Sequence, residues 1–267
     1  MQKSQIVKSV LRYPGAKGKV IEKFIPFWDI EHVEYREPFA GSGSIFFRKP
    51  LVAKNWLNDL DTDITSVLLA MRDFPNELCD LIKLTVPTVD FWYKLKNSTP
   101  STILGKAYRT IVRNRTSYAG ILGANPIGGV LQESEYTIDC RWNPERLCKY
   151  VELCSKKLKS VKITSYDFNR VIRAKGENVF IVIDPPYYHK GSQLYQVQFT
   201  KDDHYRLVKL LKSTKHKFLL TYDDCPEIRK LYDWASIIEE SWFYSISNKT
   251  KRTQGKELFI TNYEIKV

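Results

Sequence analysis

The stretch FIVIDPPYY, Phe180 to Tyr188, sets a carboxylate, two prolines and two aromatic rings at the end of an apolar run. Asp184, at the carboxyl end of a buried parallel strand, would lie in the crevice where α/β sheets bind ligands. Pro185 and Pro186 fix the backbone and carry no N–H, so their carbonyls accept without a competing donor beside them. Tyr187 offers a flat face to a planar base. Such a set can hold an amine by its hydrogens and a heterocycle by its face. The competing reading is a strand-terminating turn with a structural aspartate. For Tyr188, packing against a neighbouring helix competes on equal terms.

Two further stretches carry chemistry. In EPFAGSG, Glu37 to Gly43, two glycines at a strand-to-helix turn let the backbone approach a ligand and leave N–H groups free. The third glycine of a dinucleotide fingerprint is missing, and no Gly-Lys-Ser/Thr follows. In NDLD, Asp59 would end the next strand, where ribose-binding carboxylates sit in such folds; helix capping by Asp59 and Asp61 competes with that role. LRYPGAKGK, Leu11 to Lys19, read alone, is a loop before a basic helix start. The five cysteines form no CxxC pair. They therefore suggest neither a disulfide framework nor a zinc site, and suit a reducing cytosol.

These residues need elements to position them. Lys17 to Trp28 has helical apolar spacing, HVEYREPFAGSGS reads as strand into turn, and Ser44 to Phe47 starts a short helix. LVAKNWLNDLD is a second strand, and Asp63 to Arg72 resumes helix. This βαβ pattern implies a parallel sheet. From Phe74 to about Lys159 the character changes. PNELCDLIKL, VDFWYKLKN and ILGKAYRTIVRNR read as helices. SYAGILGANPIGGVLQESEYTIDCRWNP comes next as turns with a hairpin, then a helix from Pro144 to Lys157 capped by Asn143. VKITSYDF is a strand with an acidic turn, VFIVIDPPYY another strand, and 202–213 a helix. KFLLTY is a strand followed by a short helix, and ASIIEESWFYSI and ELFITNYEI end the chain as paired strands.

The chain has 267 residues and 43% hydrophobic content, enough for an α/β domain with a large insertion. Lys+Arg number 42 against 30 Asp+Glu, a net charge of +12 that favours a polyanion, nucleic acid ahead of a membrane surface. The start, MQKSQIVKSVLRYPGAK, has no long apolar run, and no stretch approaches the roughly 20 apolar residues of a membrane span. A soluble, cytoplasmic protein is the expectation.

Taken in order, YPGAK, EPFAGSG, NDLD, TSYDF and DPPYY resemble the Dam-like (alpha-class) DNA adenine-N6 methyltransferases over nearly the whole chain. The segment NRTSYAG, Asn114 to Gly120, is similar to that family's NRxxxNG stretch, with Ala119 where asparagine is usual. SISNKTKRTQGKELFI is similar to its closing basic segment. The resemblance implies a Rossmann-like S-adenosylmethionine-binding sheet from residues 1–73 and 160–267, with a mostly helical target-recognition insert at 74–159. It implies that Tyr13, Lys17, Glu37, Phe39, Gly41, Gly43 and Asp184 line the cofactor pocket, that Asp59 binds the ribose, and that Asp167 and Phe168 flank the adenine. Asp184, Pro185, Pro186 and Tyr187 would hold the target base, with S-adenosylhomocysteine as product. No metal is expected.

An exocyclic adenine amine is a poor nucleophile, because its lone pair is delocalised into the ring. Asp184 and the Pro185 carbonyl, accepting its hydrogens, would favour a tetrahedral nitrogen with a localised lone pair. The base must leave the duplex to reach them. Arg113, Arg115, Tyr118, Asn125 and Arg141 are the expected DNA contacts in or near the insert; arginine suits guanine, asparagine suits adenine, and Tyr118 would wedge beside the flipped base. Lys249, Lys251, Arg252 and Lys256 would meet phosphates. For each, an ordinary solvated side chain is the competing reading. Double-stranded DNA in a bacterial or phage-infected cell is the expected partner, with a monomer as the default and a dimer as the alternative. The alternatives are an amino-methyltransferase on cytosine N4 or RNA, and an inactive DNA-binding regulator. The recognition sequence is not legible.

Overall fold

The computed structural model describes residues 7–12, 15–28, 30–189, 199–244 and 253–265. Its strands are β1 (Glu34–Glu37), β2 (Lys54–Asn58), β3 (Val161–Thr164), β4 (Val179–Ile183), β5 (Lys217–Asp223), β6 (Ser236–Tyr244) and β7 (Thr253–Thr261). They form a seven-stranded sheet in the order β3-β2-β1-β4-β5-β7-β6. This is the expected mixed α/β, Rossmann-like class. Contacts divide the chain into two compact units, one holding 1–19, 40–51 and 59–165, the other 20–39, 52–58 and 166–267.

In the second unit β1 pairs in parallel with both β2 and β4, and β4 with β5. The chain leaves β1 for β2 on one side and returns as β4 on the other. The strand order therefore reverses between β1 and β4, where sheets of this kind open a crevice at their carboxyl ends. VFIVI is buried at every position, as an interior strand covered on both faces must be. The final strands pair antiparallel as expected, Ile237 opposite Ile260, and β7 lies antiparallel on β5.

Arg36 breaks the apolar rule for an interior strand. It is fully buried. Its Nε donates to Glu34 at 2.7 Å, and Nη1 to the carbonyls of Val171 and Ala174 at 2.9 and 2.7 Å. The last two carbonyls belong to helix α7 (Phe168–Arg173) and its C-terminus, an element that the sequence pattern does not announce.

The first unit is mostly helical: α2 (Thr62–Asp73), α3 (Pro75–Leu84), α4 (Val89–Lys96), α5 (Ile103–Thr116) and α6 (Pro144–Leu158). Four of the five starts have a side-chain cap. Asp61 accepts from Asp63 N–H, Thr88 from Phe91 N–H, Thr102 from Gly105 N–H and Asn143 from Arg146 N–H. The helix α2 packs on α5 and α6, with Ile64, Val67, Leu68 and Met71 among its buried residues, and belongs to this unit.

Three expectations are corrected. The hairpin of the insert reduces to one antiparallel bridge, Ser117 to Pro126. Main-chain bonds flank it, Tyr118 N–H to the Asn125 carbonyl at 2.9 Å and Ile127 N–H to the Thr116 carbonyl at 2.8 Å, and side chains such as Gln132, which donates to the Ile127 carbonyl, hold the rest of the loop. Ser44 to Phe47 is a turn closed by Phe47 N–H on the Gly43 carbonyl at 2.9 Å, not a helix. Lys17 to Trp28 breaks into 3-10 turns at Lys17–Lys19 and Ile21–Phe24 and the short helix α1 (Ile25–Trp28). Pro26 has no N–H, so a helix can begin there but not run through it.

The departure at Ala119 has a structural cost. Ala119 is exposed and adopts φ 55°, ψ 5°, the left-handed region where a Cβ is strained and asparagine is better tolerated. Ala119→Asn and Ala119→Gly should both raise the unfolding free energy, by about 0.5–1 kcal/mol in denaturant titrations; an unchanged or lowered value for both would contradict the strain.

Candidate active site

In the second unit the residues of interest gather at the carboxyl ends of β1, β4 and β5. Asp184 follows β4 directly and is half-buried. Its Oδ1 accepts from the Thr221 hydroxyl at 2.6 Å. Pro185 is buried and Pro186 half-buried. Tyr187 and Tyr188 both lie against the core, the Tyr187 ring 6.3 Å from that of Tyr222 and the Tyr188 ring 4.9 Å from His204. Tyr188 N–H donates to Asp223 at 3.2 Å. The helix-packing reading of Tyr188 is the one observed, since His204 belongs to α8 (Lys201–Ser213). His204 is buried, bonded through Nδ1 to the Tyr222 hydroxyl at 2.6 Å, and burial pulls its pKa down to about 4.

Beyond β1, Phe39 meets Phe168 at 5.4 Å and Phe199 edge-on at 5.5 Å, forming an aromatic bed. Asp167 caps α7 through Asn169 N–H and takes two bonds of 3.0 Å from Arg206, whose guanidinium lies 4.9 Å over the Phe168 ring. Glu37 is buried and accepts from the Tyr35 hydroxyl at 2.5 Å. Burial, with Glu37 adding to it, holds that phenol well above its ordinary range. Asn58, the first residue of NDLD, is fully buried and ties two loops together. Its amide donates to the carbonyls of Pro38 and Tyr166, each at 2.9 Å, and its Oδ1 accepts from Tyr166 N–H at 2.8 Å.

In the first unit the Gly-rich loop and Asp59 come together. Asp59 Oδ2 accepts from Gly41 N–H at 2.8 Å and Oδ1 from Asp61 N–H at 3.0 Å. Burial pushes its pKa up to about 6 against the pull of those two N–H groups. Gly43 sits at φ +69°, where a Cβ would also come within 2.8 Å of the Phe47 ring. Capping of α2 falls to Asp61, which leaves Asp59 to the loop. Lys17 is buried, with Nζ donating to the Gly15 carbonyl at 3.2 Å. Tyr13, Lys249, Lys251 and Arg252 lie outside the described residues.

Of the expected DNA contacts, Arg113 and Arg115 are corrected. Both are buried on α5. Arg113 donates to the Leu122 carbonyl and stacks 5.8 Å from the Trp92 ring centre; Arg115 donates to the Val10 carbonyl. Their guanidiniums hold loops. Tyr118 is 58% exposed, enough to present most of its ring to a partner. Asn125 and Arg141 are exposed. Arg141 is one of several like charges here. Burial first, then Arg141, lowers the pKa of Arg12, and burial first, then Arg12, Arg146 and Arg141, brings Arg115 down to about 10.

Burial pushes the thiols of Cys79 and Cys154 up to about 12, which suits packing and not nucleophilic attack. Among the described residues His189, Cys225 and Glu227 bring three metal-type ligand atoms within 4.8 Å, with His189 Nε2 already 3.5 Å from Glu227. No helix among the described residues is long and apolar enough to cross a membrane.

Residues 13–246 match the D12 class N6 adenine-specific DNA methyltransferase family. The chain belongs to that family. A Type II methyltransferase, M.CviBI of Paramecium bursaria Chlorella virus NC1A, is 23% identical, covering 97% of this chain and 99% of the relative. M1.LlaDCHI of Lactococcus lactis subsp. cremoris is 22% identical, covering 98% of each. M.MjaIII of Methanocaldococcus jannaschii is 26% identical, covering 96% of this chain and 99% of the relative. This D12-class protein is a DNA methyltransferase with S-adenosylmethionine as its cofactor. Thr221, Arg206, Phe199 and Asn58 had no functional reading in the sequence; Thr221 shows there only as a residue near the end of the strand KFLLTY.

If Arg115 serves the fold, Arg115→Met should lower stability by about 1–3 kcal/mol, the cost of stranding a buried carbonyl. The salt dependence of DNA binding should keep its wild-type slope; a flattened slope would return Arg115 to the DNA.

Proposed function

We propose that this methyltransferase acts on the exocyclic N6 amine of an adenine rotated out of duplex DNA. The observation that carries the reading is Asp184 at the carboxyl end of β4, beside the strand-order reversal, with one carboxylate oxygen fixed by Thr221. Asp184 and the Pro185 carbonyl accept the two amine hydrogens and draw the nitrogen towards a tetrahedral geometry. Tyr187 receives the face of the base. Pro186 keeps the turn from relaxing. The described geometry alone suits cytosine N4 equally; the family description favours adenine.

The cofactor supplies a sulfonium-activated methyl group. The residues present fit it. Asp59 offers a carboxylate beside the Gly41 backbone, and Phe39, Phe168 and Phe199 offer a bed for a purine. We assign ribose binding to Asp59, adenine contacts to Phe39, Asp167 and Phe168, and the remaining cofactor contacts to Tyr13, Lys17, Glu37, Gly41 and Gly43. The Arg206–Asp167 pair is exposed at 48% and 42%, so it is weak enough to yield to a ligand. Tyr118 serves as the wedge in the duplex, with Asn125, Arg141, Lys249, Lys251 and Arg252 on the DNA.

Asp184→Ala should reduce methyl transfer by at least about 10³-fold, while S-adenosylmethionine binds by calorimetry much as in the wild type. Nucleoside analysis of duplex DNA labelled from tritiated cofactor should yield N6-methyladenine. N4-methylcytosine, or a fully active variant, would overturn the reading. Asp59 adds a pH test. With its pKa raised to about 6, protonation below that value removes the charge that accepts the ribose hydroxyls. Cofactor affinity should therefore fall about tenfold per unit as pH drops below 6, and Asp59→Asn should bind weakly with a flat profile between pH 5 and 7.

A further inference from the structure

The end of β5 grips both ends of the DPPYY loop. Residues i and i+2 of a strand share a face, and Thr221 and Asp223 are such a pair. Thr221 reaches the first residue of the loop, Asp184, at 2.6 Å, and Asp223 takes the main-chain N–H of the last, Tyr188, at 3.2 Å. Tyr222, facing the other way, bonds His204, whose ring lies against Tyr188. The register explains the reach. Ile183 pairs with Leu220, so the next residue of each strand, Asp184 and Thr221, come level as β4 ends.

We propose that Thr221 is a positioning residue for methyl transfer, and that its hydroxyl sets which oxygen of Asp184 meets the target amine. Thr221 is fully buried. Its one proton has two acceptors in range, Asp184 Oδ1 at 2.6 Å and the Ile183 carbonyl at 3.5 Å. The shorter bond, to a charged acceptor, wins by distance and by charge. With Oδ1 engaged, rotation of the carboxylate about its Cβ–Cγ bond is stopped and Oδ2 is the oxygen aimed at the amine. A freely rotating carboxylate would meet the amine in the right orientation only part of the time, so the loss of Thr221 falls on the chemical step. This inference rests on Asp184 as the amine acceptor.

The test is kinetic. Thr221→Val keeps shape and burial but removes the hydroxyl. We expect kcat to fall on the order of 10- to 100-fold, the size of one hydrogen bond to a charged group expressed as a rate. Cofactor affinity should stay within about twofold and the unfolding midpoint near that of the wild type, because the two β-branched side chains pack alike in a strand. Thr221→Ser restores the hydroxyl and should restore most of kcat. A structural role would instead move the midpoint, and Thr221→Ser, which leaves a methyl-sized void, would fare no better than Thr221→Val. In a double-mutant cycle with Asp184→Asn, read by single-turnover rates, the two losses should not add. A Thr221→Val enzyme with wild-type kcat, or additive losses, overturns the proposal. If Thr221→Val is normal while Asp184→Ala is dead, only this inference fails. If Asp184→Ala is itself active, the reading of Asp184 fails.

Discussion

The register of β4 is the constraint on which the site depends. Val179–Ile183 is apolar on both faces, so facing alone does not stop the strand from sliding between β1 and β5. In a strand with one polar face, a slip of one residue would turn that face inward and be penalised. In β4 the penalty comes from the residues just beyond its carboxyl end. Sliding inward would carry Asp184 into the core as an unpaired charge and put Pro185 into a ladder position where its missing N–H costs a hydrogen bond. Sliding outward would expose residues that are all buried. DPPYY, the loop proposed to hold the target amine, is therefore also the stop that holds its own strand in place.

Buried polar side chains complete the loops around that strand and within the helical unit. Arg36 serves carbonyls at the end of α7, Asn58 joins the loop after β1 to the segment at Tyr166, and Asn114 pairs with both the N–H and the carbonyl of Arg12, at 2.8 and 2.7 Å. Arg115 braces the Val10 carbonyl in the same manner. Irregular backbone shut away from water leaves main-chain groups without partners. One fork-shaped or amide side chain supplies several at once, which explains why these positions carry Arg and Asn in otherwise apolar surroundings.

The same chemistry separates what could be read from the sequence from what could not. Periodicity and caps announce the helices well: Pro75–Leu84 appears as read, and Asn143 caps α6. The strand ends were legible because Pro185, Pro186 and the glycines at 41 and 43 are local signals. A buried arginine is not. Arg113 and Arg115 carry the same letter as an exposed DNA contact, and only the three-dimensional placement of Leu122 and Val10 makes them internal braces. Thr221 is invisible for a related reason. Its partner lies 37 residues away along the chain and meets it through strand register alone. The hairpin reading of the insert failed because turn residues mark where a chain bends, while a ladder also needs alternating apolar pairs, which that stretch lacks.

Charge must be reread in the same light. The excess of +12 points to a polyanion, yet Arg36, Arg113, Arg115, Lys17 and Lys49 are buried and contribute little to a surface footprint. What counts is where the remaining cations crowd. Arg115 is depressed first by burial and then by Arg12, Arg146 and Arg141, so the insert carries a local repulsion that the fold sustains. A phosphate backbone laid beside Arg141 would discharge that repulsion, and whatever relieves a strain present only in the folded state also stabilises that state by mass action. Net charge thus reports a tendency, and the proposed contact at Arg141 lies where cations crowd one another.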